Sequence, residues 1–209
     1  KYVFLERGSL ITVGARPAMG KTAFGLNLAY KNAVNHNVLY VNIEMNTKQM
    51  TNRILASMSG VLLKKIKRTK GEKLTDEDIA AISRKLPMFE KLKLEILECN
   101  NSNFEVILQG IRKAHEKNPL DLIVIDYLTL MQAKGYSTKN IEVEEMANRL
   151  KALAKELDTC IVVLAQLNRD VEKRADKRPV LMDLRDSGRI EQASNVVMFL
   201  HREDYYNDS

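Results

Sequence analysis

Only two cysteines, Cys99 and Cys160, occur in 209 residues, and each stands beside an apolar run, so neither a disulfide framework nor metal capture by thiolates is expected. The three histidines, His36, His115 and His201, show no ligand spacing and read as surface or satisfied structural residues. No apolar stretch approaches the ~20 residues that a helix needs to cross a bilayer. The opening KYVFLERGSL also lacks the basic-then-apolar layout of a signal peptide. Together these absences predict a soluble, cytoplasmic chain in a reducing compartment, with no membrane partner. Internal repeats and low-complexity tracts are missing too. The chain starts at Lys1 and stops in the polar tail HREDYYNDS, which suggests a larger protein trimmed at one end or both.

What is present is enough apolar material for one core: 45% of the residues are hydrophobic, and residues 1–209 are expected to form a single domain. The formal charge of +6, from 33 basic and 27 acidic residues, mildly favours an anionic partner but also describes an ordinary enzyme surface. Short β-branched runs, Ser9 to Val13, Val38 to Ile43, Leu92 to Leu97, Leu122 to Ile125, Cys160 to Leu164 and Val196 to Leu200, alternate with segments of helical period. That alternation predicts an α/β fold, a mostly parallel sheet flanked by helices. Lys21 to Val34 is predicted helical, as is the stretch in which Met146, Leu150, Leu153 and Leu157 build one apolar face. Thr75 with Asp78 resembles a capping box, and Ser102 or Asn103 is placed to cap the helix that carries Val106, Leu108 and Ile111. Lys64 to Lys73 and Gln132 to Asn140 fall outside this rhythm and read as solvated loops.

The strongest local signal is ITVGARPAMGKTAFGLNLA, a strand, a turn and a helix, which resembles a P-loop. Ala15 stands where the strict pattern has glycine. The chemistry needs successive backbone N–H groups turned inward on a polyphosphate, a glycine that allows close approach, and a helix whose N-terminal dipole faces negative charge. Ala18, Met19, Gly20, Lys21 and Thr22 are the candidate cradle, with Ala23 continuing the nucleotide contact. Lys21 is placed to reach the β and γ phosphates, and the Thr22 hydroxyl to complete the shell of an octahedral Mg²⁺.

A second metal-supporting carboxylate is expected at the end of another buried strand, and Asp126 ends LIVID. Glu44 ends VLYVNIE, and Gln166 ends CIVVLAQ. In a parallel sheet the carboxyl ends of the strands open on one crevice, so Glu44, Asp126 and Gln166 are expected to face the phosphate site together. Glu44 suits a base that activates water, and Gln166 a neutral hydrogen-bond partner for the γ-phosphate. Each taken singly is more often a plain strand terminus.

In order along the chain, GARPAMGKTAF, VNIEMN, LIVIDYLTLM and the block running from VVLAQLNRDVEKRADKRP through DLRDSGRIEQ to HREDYY closely resemble the motifs of DnaB-type replicative helicases, a group of RecA-like ATPases. The resemblance spans nearly the whole chain, and its last block is the narrowest signal. It implies a RecA-like ATP-dependent motor in a homohexameric ring, with single-stranded DNA in the channel and ATP or another NTP held with Mg²⁺ between subunits. By the same resemblance Lys21 and Thr22 match nucleotide and metal ligands, Glu44 the catalytic base, Asp126 the Walker B acid, Gln166 the γ-phosphate sensor and Arg53 an additional nucleotide contact. Arg185, Asp186 and Gly188 match a DNA-backbone loop, with Asp186 where the pattern usually has Glu. Primase and a helicase loader are expected to bind regions outside this chain, among them an amino-terminal collar. A trans-acting finger in a stretch resembling KxRNGPTG is expected beyond the last residue.

Without the resemblance, Arg169 to Arg189 reads as a solvated mixed-charge loop, because five aspartates and glutamates offset its basic residues. It lacks the interleaved aromatics of a stacking platform, so any DNA contact there is expected to be to phosphate and indifferent to sequence. Two other readings stay open: a RecA-like recombinase or repair ATPase, and a nucleotide-gated switch such as a helicase loader.

Overall fold

Side chains that alternate along each strand feed two separate cores. Leu39, Val41, Ile123, Ile125, Ile161 and Val163 belong to one buried cluster, while Val38, Tyr40, Leu122, Val124, Cys160 and Val162 belong to the other. A strand that must bury both its faces cannot alternate polar with apolar, which is why these segments read as unbroken apolar runs. The computed structural model describes residues 6–69, 71–99, 103–126, 128, 131–133, 138–187 and 190–207.

The elements run β1 (Leu10–Ala15), α1 (Lys21–Asn32), β2 (Val38–Asn42), α2 (Thr47–Ser59), α3 (Leu63–Ile66), α4 (Asp76–Glu90), β3 (Leu94–Glu98) and α5 (Phe104–Lys117). They continue with β4 (Leu122–Asp126), α6 (Lys139–Glu156), β5 (Cys160–Gln166), α7 (Ile190–Ala193), β6 (Val196–Leu200) and α8 (Asp204–Asn207). Two 3-10 turns, Arg169–Lys173 and Leu181–Ser187, lie between β5 and α7. The strands form one six-stranded sheet in the order β3-β2-β4-β5-β1-β6, and every pairing is parallel. The α/β reading is therefore correct, and the six expected strands are all present with ends shifted by one or two residues.

One core packs α5, α6 and α7 on the sheet through Phe104, Ile107, Ile111, Met146, Leu150, Leu153 and Ile190, and the other packs α1 and α2 through Leu26, Ala29, Met50 and Ile54. Helix α4 starts with the expected capping box between Thr75 and Asp78. Asn103 caps α5, accepting from the Glu105 amide at 2.9 Å, and Ser102 lies outside the described residues. Of the two expected loops, the first contains the single turn α3. The second gives way at Lys139 to α6, capped by Thr138, and its residues 134–137 lie outside the described ones. Both cysteines are free; burial pushes the Cys160 thiol up to about 11, so the thiol stays protonated and inert.

Helix α1 lies close on the sheet because residue 25 is glycine. A Cβ there would stand 2.7 Å from Leu164 Cδ1 and 3.2 Å from the Tyr40 hydroxyl. Gly25→Ala gains about 1 kcal/mol of helix propensity, but overpacking a filled core costs about 1–3 kcal/mol. The variant is expected to unfold at lower urea than the parent, and an unchanged or higher midpoint would show that Leu164 and Tyr40 move aside at no cost.

Candidate functional site

Residues 16–20 leave β1 at the carboxyl edge of the sheet and enter α1 through two left-handed backbone positions, Ala18 at φ 64° and Gly20 at φ 90°. Glycine adopts this geometry freely, whereas at Ala18 it strains the backbone by about 1–2 kcal/mol. Alternation of right- and left-handed residues curls successive N–H groups into a concave nest that attracts anions. The first bond of α1 runs from the Phe24 amide to Gly20 O at 2.8 Å, so the amides just before Phe24 have no acceptor within the helix and end the loop on a positive dipole. The Met19 amide donates to Arg16 O at 3.3 Å and its side chain is buried, so Met19 braces the loop from behind.

Register brings the expected partners together. Ala15 pairs with Gln166 across β1 and β5, and Asn42 with Asp126 across β2 and β4. Asp126 is 1% exposed. Its Oδ2 accepts from the Tyr40 hydroxyl at 3.0 Å, while Oδ1 is buried without a hydrogen-bond partner among the described residues and stands 3.7 Å from Lys21 Nζ. Burial pulls the Lys21 ammonium below its ordinary range, and the negative charges of Asp126 and Glu44 pull it back up. For Tyr40, burial raises the phenol pKa well above its usual value, and the Asp126 charge adds to the shift.

Glu44 sits just past the end of β2, on a turn closed by one buried side chain. The Asn42 carboxamide accepts from the Met45 amide at 3.2 Å and donates back to Met45 O. That turn leaves Glu44 exposed beside the loop. Helix α2 then starts with a reciprocal cap between Asn46 and Gln49. Glu98, at the end of β3, accepts from the Thr47 amide at 3.1 Å and from its hydroxyl at 2.7 Å. These bonds hold the Glu98 carboxyl below the usual range. They also set the direction in which α2 carries Arg53 back to the site. Arg53 Nε is buried with no hydrogen-bond partner among the described residues.

A cleft of about 360 Å³ results, lined by Ala15 to Ala18, Gly20 to Ala23, Glu44, Arg53 and Gln166. Of the residues expected at a nucleotide, Ala18, Gly20, Lys21, Thr22, Ala23, Glu44, Arg53 and Gln166 meet here; Met19 and Asp126 lie beneath the surface. The Asp126 Oδ1 below the cleft, without a hydrogen bond among the described residues, and the Thr22 hydroxyl in the first turn of α1 are hard oxygen donors. They suit a cation such as Mg²⁺, which keeps most of its shell for phosphate and water. Among the described residues no group of three or more His, Cys, Asp or Glu side chains is gathered to bind a metal by itself.

Three contributors had no role in the sequence reading. Tyr40 hides in an apolar strand. Asn42 had a signal, a polar residue in a run otherwise buried on both sides. Arg16, inside the loop motif, is 6% exposed: its Nη1 donates to Leu167 O at 2.8 Å, and Nε and Nη2 donate to Glu172 Oε1 at 2.9 and 2.8 Å.

The mixed-charge segment after β5 is ordered rather than simply solvated. Arg174 makes a two-pronged pair with Asp183 at 3.0 and 2.8 Å, and Asp183 also accepts from the Val180 amide at 2.8 Å. Val171 and Leu184 are buried beneath. Arg185 and Asp186 fall in the second 3-10 turn; their side chains, and Gly188 altogether, lie outside what is described.

Comparison with known proteins agrees with this geometry. The model of the DnaB-like helicase C-terminal domain matches residues 4–209. The replicative DNA helicase DnaB of Geobacillus stearothermophilus is 39% identical over 206 residues, 97% of this chain and 45% of that protein. The same-named protein of Pasteurella multocida (strain Pm70) is 40% identical over 210 residues, 98% of this chain and 44% of that one. The chain thus spans less than half the length of these relatives. A solved structure of an ATPase domain superposes with a TM-score of 0.90 at 32% identity, covering 98% of this chain and 73% of that one. A DnaB-like replicative helicase, solved in work on its interactions with primase, also gives 0.90 at 32% identity, over 98% of this chain and 50% of that one. With the family model matched from residue 4 to the last residue, and the fold shared with RecA-like ATPase domains, the chain belongs to the DnaB-like helicase C-terminal domain family.

Proposed function

We propose that this chain is the motor of a hexameric replicative DNA helicase, which binds ATP with Mg²⁺ in the cleft and couples hydrolysis to movement along single-stranded DNA. The carrying observation is the meeting of Lys21, Thr22, Glu44, Arg53 and Gln166 in one cleft above the buried Asp126. The loop amides and the α1 dipole receive the polyphosphate. Lys21, held near Asp126 with a lowered proton affinity, swings to the β and γ phosphates. Thr22 and Asp126 would hold the metal, which would supply positive charge to neutralise the phosphates. Glu44, exposed on its turn, orients the attacking water and accepts its proton. Gln166 bonds the γ-phosphate without adding charge, and Arg53 adds a cationic contact.

Arg185, Asp186 and Gly188 follow the DNA backbone, the arginine and the loop amides meeting successive phosphates. A ring of six copies places these loops around one strand. The domains through which primase and a loader bind lie outside this chain, and the site of action is the cytoplasm. Family membership favours the helicase over a recombinase. ATPase activity of the full-length parent with and without single-stranded DNA separates the motor from a nucleotide-gated switch, because a motor is strongly stimulated and a switch is not.

Lys21→Ala is expected to lose most nucleotide affinity while keeping the fold, since the ammonium contacts phosphate rather than the core; calorimetry showing unchanged triphosphate binding would remove Lys21 from the site. Glu44→Gln should bind Mg²⁺-ATP normally and lose about 100-fold or more in turnover, the amide being unable to take the proton. Turnover at the parent rate would assign water activation elsewhere.

In the full-length ring, Arg185→Ala should weaken single-strand binding about equally for all sequences. Each lost phosphate contact should lower the slope of log affinity against log salt by about 0.7. An unchanged slope would move the DNA contact away from Arg185.

A further inference from the structure

Tyr40 is placed by the sheet, not by the loop. It faces Val124 across the β2–β4 ladder, and Asp126 follows Val124 by two residues, so phenol and carboxylate share the face that α1 covers. Both are shut off from water, at 0% and 1% exposure. The phenol has little freedom, because its oxygen lies 3.2 Å from where a Cβ on Gly25 would stand. Its hydrogen bond to Oδ2 is 3.0 Å long, while Oδ1 has no hydrogen bond among the described residues and stands at 3.7 Å from Lys21 Nζ.

Rotation of a carboxylate about its last bond is broad and roughly two-fold. A single donor, buried and fixed on one oxygen, therefore selects the orientation of the other. We propose that Tyr40 is a positioning residue: by occupying Oδ2 of Asp126 it turns Oδ1 toward Lys21, the orientation in which the carboxylate would support a divalent cation at the phosphate site. This rests on the reading of Asp126 as a metal-supporting acid. The phenol touches neither nucleotide nor cation, and acts only through the aspartate. A partner that fixes a ligand's orientation typically accounts for about 10–100-fold in metal affinity.

The test uses Tyr40→Phe in the full-length protein and reads metal dependence apart from turnover. A fluorescent ADP is titrated first in EDTA, then at fixed concentration against Mg²⁺ and, separately, Mn²⁺. Affinity in EDTA should stay within about twofold of the parent, because the loop amides and Lys21 are untouched, while the metal midpoint should rise about tenfold or more. A urea midpoint in EDTA checks that the variant is folded, and Tyr40→Met, which fills the space without a hydroxyl, carries the same expectation if the phenylalanine variant is unstable. Asp126→Asn in parallel separates two failures. If it raises the metal midpoint and Tyr40→Phe does not, Tyr40 is core filler and the proposal is overturned. If Asp126→Asn leaves the midpoint unchanged, the metal reading of Asp126 falls, and the role of Tyr40 falls with it.

Discussion

A parallel sheet covered by helices on both faces leaves no place in its central strands for a charged side chain except at their ends. Every pairing in this sheet is parallel, and its strand interiors are filled from two cores. Charge is thereby driven to the edges, and because the strands run the same way their carboxyl ends share one edge. Ala15, Glu44, Asp126 and Gln166 gather at that edge for the same topological reason, although most of the chain separates the first from the last. The α1 dipole reaches it because the chain turns from β1 directly into that helix.

A buried carboxylate is the cost of this arrangement. Asp126 is removed from water as thoroughly as its valine and isoleucine neighbours, and an isolated charge in such a place would be strongly disfavoured. Two groups offset that cost without satisfying it: the Tyr40 phenol on one oxygen and the Lys21 ammonium at ion-pair distance from the other. Lys21 is itself desolvated: burial lowers its pKa by more than the neighbouring Asp126 and Glu44 charges raise it.

The strands, α1 and α6 were legible because burial on both sheet faces and a helical apolar stripe leave plain patterns, as Val38 to Ile43 and Met146 to Leu157 show. The phosphate loop and the strand-end carboxylates were legible because their chemistry is local. What stayed hidden depends on pairing between distant residues. Tyr40 in an apolar run looks like packing until β2 lies beside β4. Arg16 looks like a loop cation until β5 delivers Leu167 and Glu172. Asn42 and the Asn46–Gln49 cap were visible in principle, as a polar break in a strand and a capping spacing, yet the strand was drawn through to Glu44 because Ile43 prolongs the apolar pattern. The segment from Arg169 onward reads as solvated from its mixed charge, whereas Arg174 pairs with Asp183 inside it, and Glu172 and Arg178 pair with Arg16 and Glu203 outside it.

Arg16 has a mechanical consequence. One buried guanidinium grips the Leu167 carbonyl and the Glu172 carboxylate while its own backbone belongs to the phosphate loop. From there the Asn168 amide bonds Asp183 O at 2.9 Å, and Arg174 clamps the same aspartate. The loop and the segment leading to Arg185 are thus tied together through the end of β5, so that displacing either one strains the bonds that Arg16 makes to Leu167 and Glu172.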